Sequence, residues 1–411
     1  MKNTIPPFAT PSPRPRHRKG GGDLVNIGIV AGEASGDLLG AGLMSELKKR
    51  LPGVRFEGIG GPHMQAQGCV SLGDMDRLSV IGLEGVAKIP GVLRIRRRVA
   101  AHFLRHPPHL YIGVDVPDFN LRVEQRLRAA GITTVHYVSP TVWAWRGYRI
   151  RTIHRAVDHM LTLFPFEAQY YRERRIPVTF VGHPLADEIP EIFDVGAIRA
   201  RLGLPRDRRV VALLPGSRLN ELRRHAGLFV RTARWLHARH PALHFVAPFV
   251  NAATRALFEE ALAREGASPL PITRLLQQSR EALAAADVVL LASGTATLEA
   301  ALLRKPMVVT YRVSMLSALL IRTFAHVRMY ALPNHLAGRL LVPELVQQDA
   351  VPEKLGAAVE RYLAHPEQAE SVQAELARMH AALKQNANAR AAEAVVGMLR
   401  ERNLIGAAEV A

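Results

Sequence analysis

Short runs of apolar residues alternate with amphipathic stretches along most of this chain. Because the runs are brief, β-branched and bounded by Gly, Pro or polar residues, they predict buried strands of parallel sheets. The runs cover residues 25–30, 56–61, 110–114, 133–138, 159–164, 178–181, 210–214, 243–247, 287–291 and 308–312. The stretches between them carry helical spacing, as at 38–50, 219–239, 252–265 and 279–286. The alternation predicts an α/β protein with two doubly wound halves.

The pattern also predicts where the halves begin and end. Residues 1–22 are rich in Pro, Arg and Gly without an apolar core, which predicts a disordered basic tail rather than a signal peptide. We expect a Rossmann-like N-terminal domain at 23–186, since residues 184–208 hold several prolines and charges typical of a linker. A second Rossmann-like domain is expected at 205–365. The helical residues 366–411 are expected to pack back on an N-terminal domain.

Composition narrows the class of protein. A chain of 411 residues with 48% hydrophobic content is large enough for two globular domains. Cys69 is the only cysteine, which excludes an intrachain disulfide and a cysteine-based zinc site. The formal charge of +18 suits phosphorylated substrates, an anionic membrane surface or nucleic acid. Aromatic residues are only 6%, so nucleic acid is the weaker inference and none is expected as a partner.

The most informative turn follows the apolar run at 287–291. Ser293, Gly294 and Thr295 form a small-residue bend before a helical pattern at 298–303, and this arrangement offers backbone N–H groups to an anion. Glu299 lies on that helix, where a carboxylate near phosphate is unfavourable unless it accepts hydrogen bonds, for example from ribose hydroxyls. The alternative is an ordinary strand–helix turn with a solvated glutamate.

A second turn of this kind lies near the start of the chain. Gly32 and Gly36 would allow a ligand to approach the backbone, and Glu33, Ser35 and Asp37 would supply polar contacts. The turn lacks the GxGxxG pattern of dinucleotide-binding folds. The alternative is a plain turn with Asp37 near the helix cap.

Two further strand ends carry residues suited to catalysis or to diphosphate binding. Asp115 follows the apolar run 110–114, and the carboxyl ends of strands border the ligand crevice in open α/β sheets. A carboxylate there can act as a general base, so Asp115 is the catalytic candidate, and Asp118 is expected to cap the next helix. In the second half, Gly216 and Ser217 can expose N–H groups, and Arg218 can neutralise a diphosphate.

The segment 78–106 mixes apolar residues with an arginine cluster. Arg94, Arg96, Arg97, Arg98 and Arg105 follow Val, Ile and Leu positions, which favours contact with an anionic bilayer surface over a core helix with a solvated basic face. No apolar run reaches the length of a membrane span.

Asp74 and Asp76 form a DxD pattern like the metal-binding motif of some glycosyltransferases. Since no strand leads into this polar segment, we do not expect it to bind metal.

Several motifs together carry a resemblance to one family. They are residues 31–37, 114–120, 137–146, 214–218, 292–299, 332–334 and 336–338. In these motifs and their order, the chain is similar to the lipid-A-disaccharide synthases, which are inverting glycosyltransferases, over about residues 24 to 400. Val116 departs from the family pattern, which has a small Ser or Ala there.

The resemblance implies a GT-B fold of two Rossmann-like doubly wound domains facing across a cleft, with no metal and no cofactor. It implies UDP-2,3-diacylglucosamine as donor, 2,3-diacylglucosamine 1-phosphate as acceptor, and a β-1,6-linked disaccharide 1-phosphate and UDP as products. Asp115 matches the family's proposed base. Arg218 and the amides of residues 293–295 would hold the diphosphate, Glu299 would take the ribose hydroxyls, and Asn334 would approach the donor.

The same resemblance implies a peripheral protein on the cytoplasmic face of the inner membrane, with a homodimer formed by exchange of C-terminal segments. Two alternatives stay open. A UDP-sugar epimerase would use the same fold with water as co-substrate and would need no lipid-facing segment. A non-catalytic membrane or nucleic-acid adaptor would use the basic charge alone, but it would have no use for two phosphate turns and a carboxylate.

Overall fold

The chain folds into two compact α/β units. A computed structural model describes residues 24–78, 89–143, 147–266, 269–312 and 329–405. The described residues up to Pro184, together with those from Asn386 onward, form the first unit, and Leu185–Gln385 contributes the second. The basic tail at 1–22 and the most apolar part of the arginine-rich segment lie outside the described residues.

The first unit is built on a seven-stranded parallel sheet with strand order β3-β2-β1-β4-β5-β6-β7. The central strands are buried on both faces, which explains why they read as apolar runs rather than as alternating patterns. The strands are β1 (Asn26–Ala31), β2 (Arg55–Ile59), β3 (Cys69–Ser71), β4 (Leu110–Val114), β5 (Thr133–Tyr137), β6 (His159–Thr162) and β7 (Val178–Phe180).

Helices connect these strands, because neighbouring parallel strands need a crossover between them. They are α1 (Ala34–Arg50), α2 (Pro62–Ala66), α3 (Ile89–Arg105), α4 (Pro117–Ala129), α5 (Ile150–Ala156) and α6 (Pro165–Arg172). Helix α1 begins at Ala34 rather than at the expected residue 38, so Ser35, Gly36 and Asp37 lie in its first turn and not in a loop before it.

The second unit repeats the architecture with strand order β10-β9-β8-β11-β12-β13. Its strands are β8 (Val210–Leu214), β9 (His244–Phe249), β10 (Ile272–Leu276), β11 (Val288–Ala292), β12 (Met307–Tyr311) and β13 (Glu344–Val346). Its helices are α7 (Pro184–Glu188), α8 (Val195–Arg201), α9 (Leu219–Arg239), α10 (Ala252–Arg264), α11 (Ser279–Ala285), α12 (Ala296–Leu302), α13 (Leu332–Ala337), α14 (Pro352–Ala364) and α15 (Pro366–Leu383). The last helix, α16 (Ala387–Glu401), packs against α1 of the first unit.

The structure differs from the sequence-based expectation at several elements. The proline-rich residues 184–208, expected as a linker, contain α7 and α8, and the motif residues 332–337 form the short helix α13. The short strands β3, β10 and β13 were not predicted. Each has exposed or half-buried positions, so none carries the continuous apolar run of a central strand.

The strand orders locate the ligand-binding edges. In each unit the chain reverses its winding direction between two central strands, β1 and β4 in the first and β8 and β11 in the second. Ligands of open α/β sheets bind beyond the carboxyl ends of the strands at such switch points. The turns after these four strands are therefore the candidate sites, and they contain Gly32, Asp115, Gly216 and Ser293.

Candidate functional site

The two turns at the first unit's switch point contact each other. Ala31 of β1 is the register partner of Val114 of β4, so Gly32 and Asp115 follow neighbouring strand ends. Gly32 is buried, and a Cβ added there would lie 2.7 Å from Cγ2 of Val116. The close approach that requires this glycine is therefore made by Val116, a residue of the protein, and not by a ligand.

Asp115 is held in an unusual backbone conformation. It has φ of 53° and Val116 has φ of 44°, so two successive residues with side chains adopt the left-handed region. Each such conformation costs about 1–3 kcal/mol in backbone strain, and it persists only where the surrounding contacts hold it. The Asp115 side chain is half-buried, rather than buried as a strand-end carboxylate could be, and it remains accessible at the sheet edge.

Hydrogen bonds from the Asn120 side chain help to hold this turn in place. It is fully buried, and its Nδ2 donates to the backbone oxygens of Asp115 at 2.8 Å and Val30 at 3.2 Å. Its Oδ1 accepts a hydrogen bond from the Tyr111 hydroxyl at 3.1 Å. The Asp115 N–H donates to the Tyr137 carbonyl at 2.8 Å. The turn is thus tied to β1 and β5 as well as to α4.

Asp118 does not cap α4, which corrects the expectation from the sequence. The N-cap position belongs to Val116, and Asp118 lies within the first turn of the helix. The Asp118 carboxylate is exposed and forms an ion pair with Arg149, while its backbone oxygen accepts a hydrogen bond from Nη1 of Arg96 at 3.2 Å. Asp118 therefore gathers arginines beside the Asp115 turn.

The polar residues of the Gly32 turn have different surroundings. Ser35 is exposed, and Glu33, the N-cap residue of α1, is half-buried. Asp37 is buried, and its two carboxylate oxygens accept hydrogen bonds from the N–H groups of His63 at 2.9 Å and Met64 at 3.0 Å. Asp37 thus caps α2 from a distance. Gly36 leaves room for Ala31 and the Val114 carbonyl.

Sequence reasoning missed a buried carboxyl group near the ends of β5 and β6. Glu167 accepts hydrogen bonds from Nε1 of Trp143 and from the N–H of Phe164, each at 3.3 Å. Burial raises the pKa of Glu167 to about 8. The signal in the sequence was the position of this glutamate in the first turn of α6, after Pro165, where a carboxylate can accept from the helix start.

The turn after β8 presents Arg218 at the start of α9. Gly216 has φ of 132°, and a Cβ there would lie 2.8 Å from Cβ of Glu221, so only glycine fits. Ser217 and Arg218 are exposed, and Arg218 is the N-cap residue of α9. Nη1 of Arg218 lies 3.5 Å from Oε1 of Glu221, a loose contact that leaves the guanidinium available to an anion.

The turn after β11 offers fewer unbonded backbone N–H groups to an anion than the sequence predicts. The Ser293 N–H already donates to the Thr310 carbonyl at 2.9 Å, and the Ser293 hydroxyl donates to the Tyr330 carbonyl at 3.0 Å. This corrects the expectation that the Ser293 amide holds phosphate. Gly294 and Thr295 are exposed, and no hydrogen bond among the described residues uses their N–H groups. Thr295 is the N-cap residue of α12.

Glu299 lies in the first turn of α12 and is half-buried. Burial raises the pKa of Glu299, and the nearby Arg280 opposes that shift. An ionised carboxylate in this position gains from hydrogen-bond donors such as sugar hydroxyls, because they replace the water that burial removes.

The Asn334 side chain, which is expected to approach the donor, bonds to residues of its own unit. Its side chain is fully buried, and its Oδ1 accepts hydrogen bonds from the N–H groups of Leu341 and Val342, both at 2.8 Å. Its Nδ2 donates to the Val342 carbonyl at 2.9 Å and to Oε1 of Glu344 at 2.7 Å. The amide has no bonding capacity left for a ligand.

The DxD pattern is a local cap. Asp74 precedes a 3-10 turn at Met75–Arg77, and its Oδ1 accepts from the Asp76 N–H at 2.9 Å. Within the described ranges, no group of three or more His, Cys, Asp or Glu side chains is arranged to hold a metal ion.

Comparison with known sequences gives one family. The sequence model described as Lipid-A-disaccharide synthetase matches residues 27–397. A lipid-A-disaccharide synthase of Methylobacillus flagellatus is 47% identical over 378 residues, which are 92% of this chain and 100% of that protein. A protein of the same name from Pseudomonas aeruginosa UCBPP-PA14 is 50% identical over 382 residues, again 92% of this chain and 100% of the relative.

Solved structures share the fold at low sequence identity. A UDP-GlcNAc 2-epimerase from Neisseria meningitidis bound to UDP-GlcNAc has a TM-score of 0.59 at 12% identity, covering 92% of this chain and 100% of its own. The calicheamicin glycosyltransferase CalG4 has a TM-score of 0.55 at 18% identity, covering 92% and 99%. Together with the two parallel sheets, these similarities confirm the predicted GT-B fold class.

Proposed function

Because the chain belongs to the lipid-A-disaccharide synthase family, we propose that it joins UDP-2,3-diacylglucosamine to 2,3-diacylglucosamine 1-phosphate. The protein is a hexosyltransferase of lipid A biosynthesis. The products of this reaction are the β-1,6-linked disaccharide 1-phosphate and UDP. The epimerase alternative has weaker support, since its structural relatives share the fold at 13% identity or below.

In the proposed reaction Asp115 is the general base. Its carboxylate takes the proton of the acceptor 6-hydroxyl while that oxygen attacks the anomeric carbon, and the bond from that carbon to UDP breaks with inversion. The observation that carries this assignment is the position of Asp115, half-buried at the carboxyl end of β4 beside the switch point. Its fixed backbone restricts the directions that the carboxylate can take, which lowers the entropic cost of reaching the transition state.

Donor binding is assigned to the second unit. Arg218 and the N–H groups of Gly294 and Thr295 would hold the diphosphate, with Gly216 and Ser217 forming the neighbouring turn. Charge neutralisation of the leaving UDP replaces a general acid. Glu299 would accept hydrogen bonds from the ribose hydroxyls. Ser293 and Asn334 would support the site through the backbone contacts described above, without touching the donor.

We also assign the first unit to the acceptor and the membrane. The exposed Arg94, Arg98 and Arg105 of α3 would meet anionic head groups on the cytoplasmic face of the inner membrane, in a peripheral association. Among the described residues, no helix combines the length and hydrophobicity that a membrane crossing requires. A homodimer through exchange of C-terminal segments, carried over from the family resemblance, is part of the same proposal.

Product analysis tests the proposal. The full chain is incubated with both acylated substrates, and the products are identified by mass spectrometry. We expect the disaccharide 1-phosphate and one equivalent of UDP. Conversion of UDP-GlcNAc to its 2-epimer without an acceptor, and no disaccharide, would replace this function by the epimerase.

A further inference from the structure

A stripe of charged residues runs along α4, starting three residues beyond Asp115. Asp118, Arg122 and Arg126 follow one another at intervals of four, so they share one face of the helix. Helix α3 packs against α4 and contributes Arg96 and Arg97. Arg97, Arg122 and Arg126 are exposed, and Arg96 is half-buried.

The cluster carries more positive charge than its own carboxylate can balance. The Asp118 carboxylate is already paired with Arg149, and its carbonyl oxygen already accepts from Arg96. Burial lowers the pKa of Arg96, and the positive charges of Arg122, Arg126 and Arg97 lower it further. Asp118 opposes that shift with the smallest effect. Guanidinium groups held this close together attract an anion that offsets their mutual repulsion.

We propose that this arginine cluster, Arg96, Arg97, Arg122 and Arg126, binds the phosphate monoester of the acceptor sugar. The inference rests on the proposed function, because a phosphorylated sugar must reach Asp115. Arg122 lies five residues into α4 from Pro117, a rise of about 7 Å, and Asp115 lies in the turn just before that helix. One pyranose ring separates the attacking 6-hydroxyl from the 1-phosphate, so an acceptor bridging Asp115 and the flexible arginine side chains fits this spacing.

The hydrogen-bond donors of the arginine cluster favour phosphate over other anions. Arginine presents planar pairs of N–H groups that match phosphate oxygens, and several guanidiniums can share a dianion. The same chemistry is offered by phospholipid head groups of a bilayer. The cluster is assigned to the substrate because Asp118 and Arg149 anchor it next to the catalytic turn.

The test compares two acceptors that differ only in the phosphate. Arg122→Gln and the double variant Arg122→Gln, Arg126→Gln are assayed with 2,3-diacylglucosamine 1-phosphate and with 2,3-diacylglucosamine. We expect KM for the phosphorylated acceptor to rise about tenfold for the single variant, as for one lost charge-assisted hydrogen bond. KM for the unphosphorylated acceptor and for the donor should not change. Both arginines are exposed, so the variants should fold.

Arg172→Gln is the matched control. Arg172 is exposed at the end of α6 in the same unit, so this variant removes the same charge outside the cluster. It should keep the wild-type preference for the phosphorylated acceptor. Equal effects of Arg122→Gln and Arg172→Gln on that preference would overturn the proposal.

Sedimentation with vesicles separates the two sources of phosphate. Wild type and variants are mixed with phosphatidylcholine vesicles with or without phosphatidylglycerol. If Arg122→Gln keeps its acceptor preference but loses binding to the anionic vesicles, the cluster serves the bilayer and the substrate assignment is wrong. If the wild type makes no disaccharide, the proposed function fails instead. Calorimetric binding of the two acceptors in detergent then still tests the cluster, and equal affinities would reject it.

Discussion

Nδ2 of Asn120 donates a hydrogen bond to the backbone oxygen of Asp115 at 2.8 Å, joining α4 to the turn that carries the proposed base. The same amide group reaches the Val30 carbonyl in β1. These bonds hold two left-handed residues, Asp115 and Val116, in place. The orientation of the carboxylate therefore depends on a residue that is itself fully buried.

Asp115→Asn should abolish most of the transferase activity. The amide cannot accept the proton of the acceptor hydroxyl, so kcat should fall about a hundredfold to ten-thousandfold. UDP affinity, measured by calorimetry, should equal that of the wild type because the donor site lies on other turns. Near-normal disaccharide formation would remove Asp115 from the mechanism.

Asn120→Ala should lower kcat more than it raises either KM. The substitution removes the amide donor from the Val30 and Asp115 carbonyls and no longer holds the strained turn, so we expect a destabilisation of about 2 kcal/mol as well. Tyr111→Phe is the control, since it removes the hydroxyl that bonds Asn120 Oδ1 but leaves the bonds to the turn. A kcat effect of the same size in Tyr111→Phe would show that general loosening, and not turn geometry, is responsible.

Arg218→Ala should weaken the transition state by at least about 2 kcal/mol, measured as kcat/KM for the donor, since it removes a charge-assisted contact to the diphosphate. Arg223→Ala removes an exposed arginine one turn further along α9, whose guanidinium bonds only Asn220 in the part of the chain that the structure describes. That variant should be nearly normal. Unchanged kinetics in Arg218→Ala would discard its assignment.

Asn334→Ala should affect stability and not donor binding. The substitution leaves the Leu341 and Val342 N–H groups without their acceptor and removes one of the two donors to Oε1 of Glu344, at a cost of about 3 kcal/mol in the free energy of unfolding. Urea denaturation measures this loss. Under conditions where the variant stays folded, KM for the donor should equal the wild-type value. A selective rise in that KM would place Asn334 in the donor site.

Glu167 makes stability depend on pH. Its pKa is raised to about 8 in the folded chain, whereas an unfolded glutamate titrates near about 4.3. Between these values the folded state holds a proton that the unfolded state has released, so the stabilising contribution is complete below about pH 4.3 and is lost as pH rises through about 8. Urea denaturation at several pH values should show this decline.

Glu167→Gln should flatten that decline. Glutamine resembles the neutral acid and does not titrate, so the variant should gain stability relative to wild type above pH 8 and match it near pH 5. Glu173→Gln, at an exposed position just beyond α6, is the control and should keep the wild-type profile. An unchanged slope in Glu167→Gln would show that another group causes the pH dependence.

Sequence patterns predicted what depends on local order. Strands buried on both faces are rich in apolar residues, so β4, β8 and β11 could be predicted directly, and so could the glycine-containing turns that follow β8 and β11. Asp115 was found because a strand end in a parallel sheet has a known relation to ligands. The family followed from the order of these motifs along the chain.

The sequence by itself thus determined the fold class, the family and the candidate base, because periodicity and strand-end turns are properties of neighbouring residues. Only the tertiary structure decided how individual polar side chains are used. Asp37 caps a helix 26 residues away, and the Ser293 N–H donates to the Thr310 carbonyl. The Asn334 side chain accepts a hydrogen bond from a backbone N–H of its own unit. The arginine cluster likewise exists because α3 packs on α4. Hydrogen bonds and charge clusters form between residues that the fold brings together, and no local pattern encodes which partner each polar group will meet.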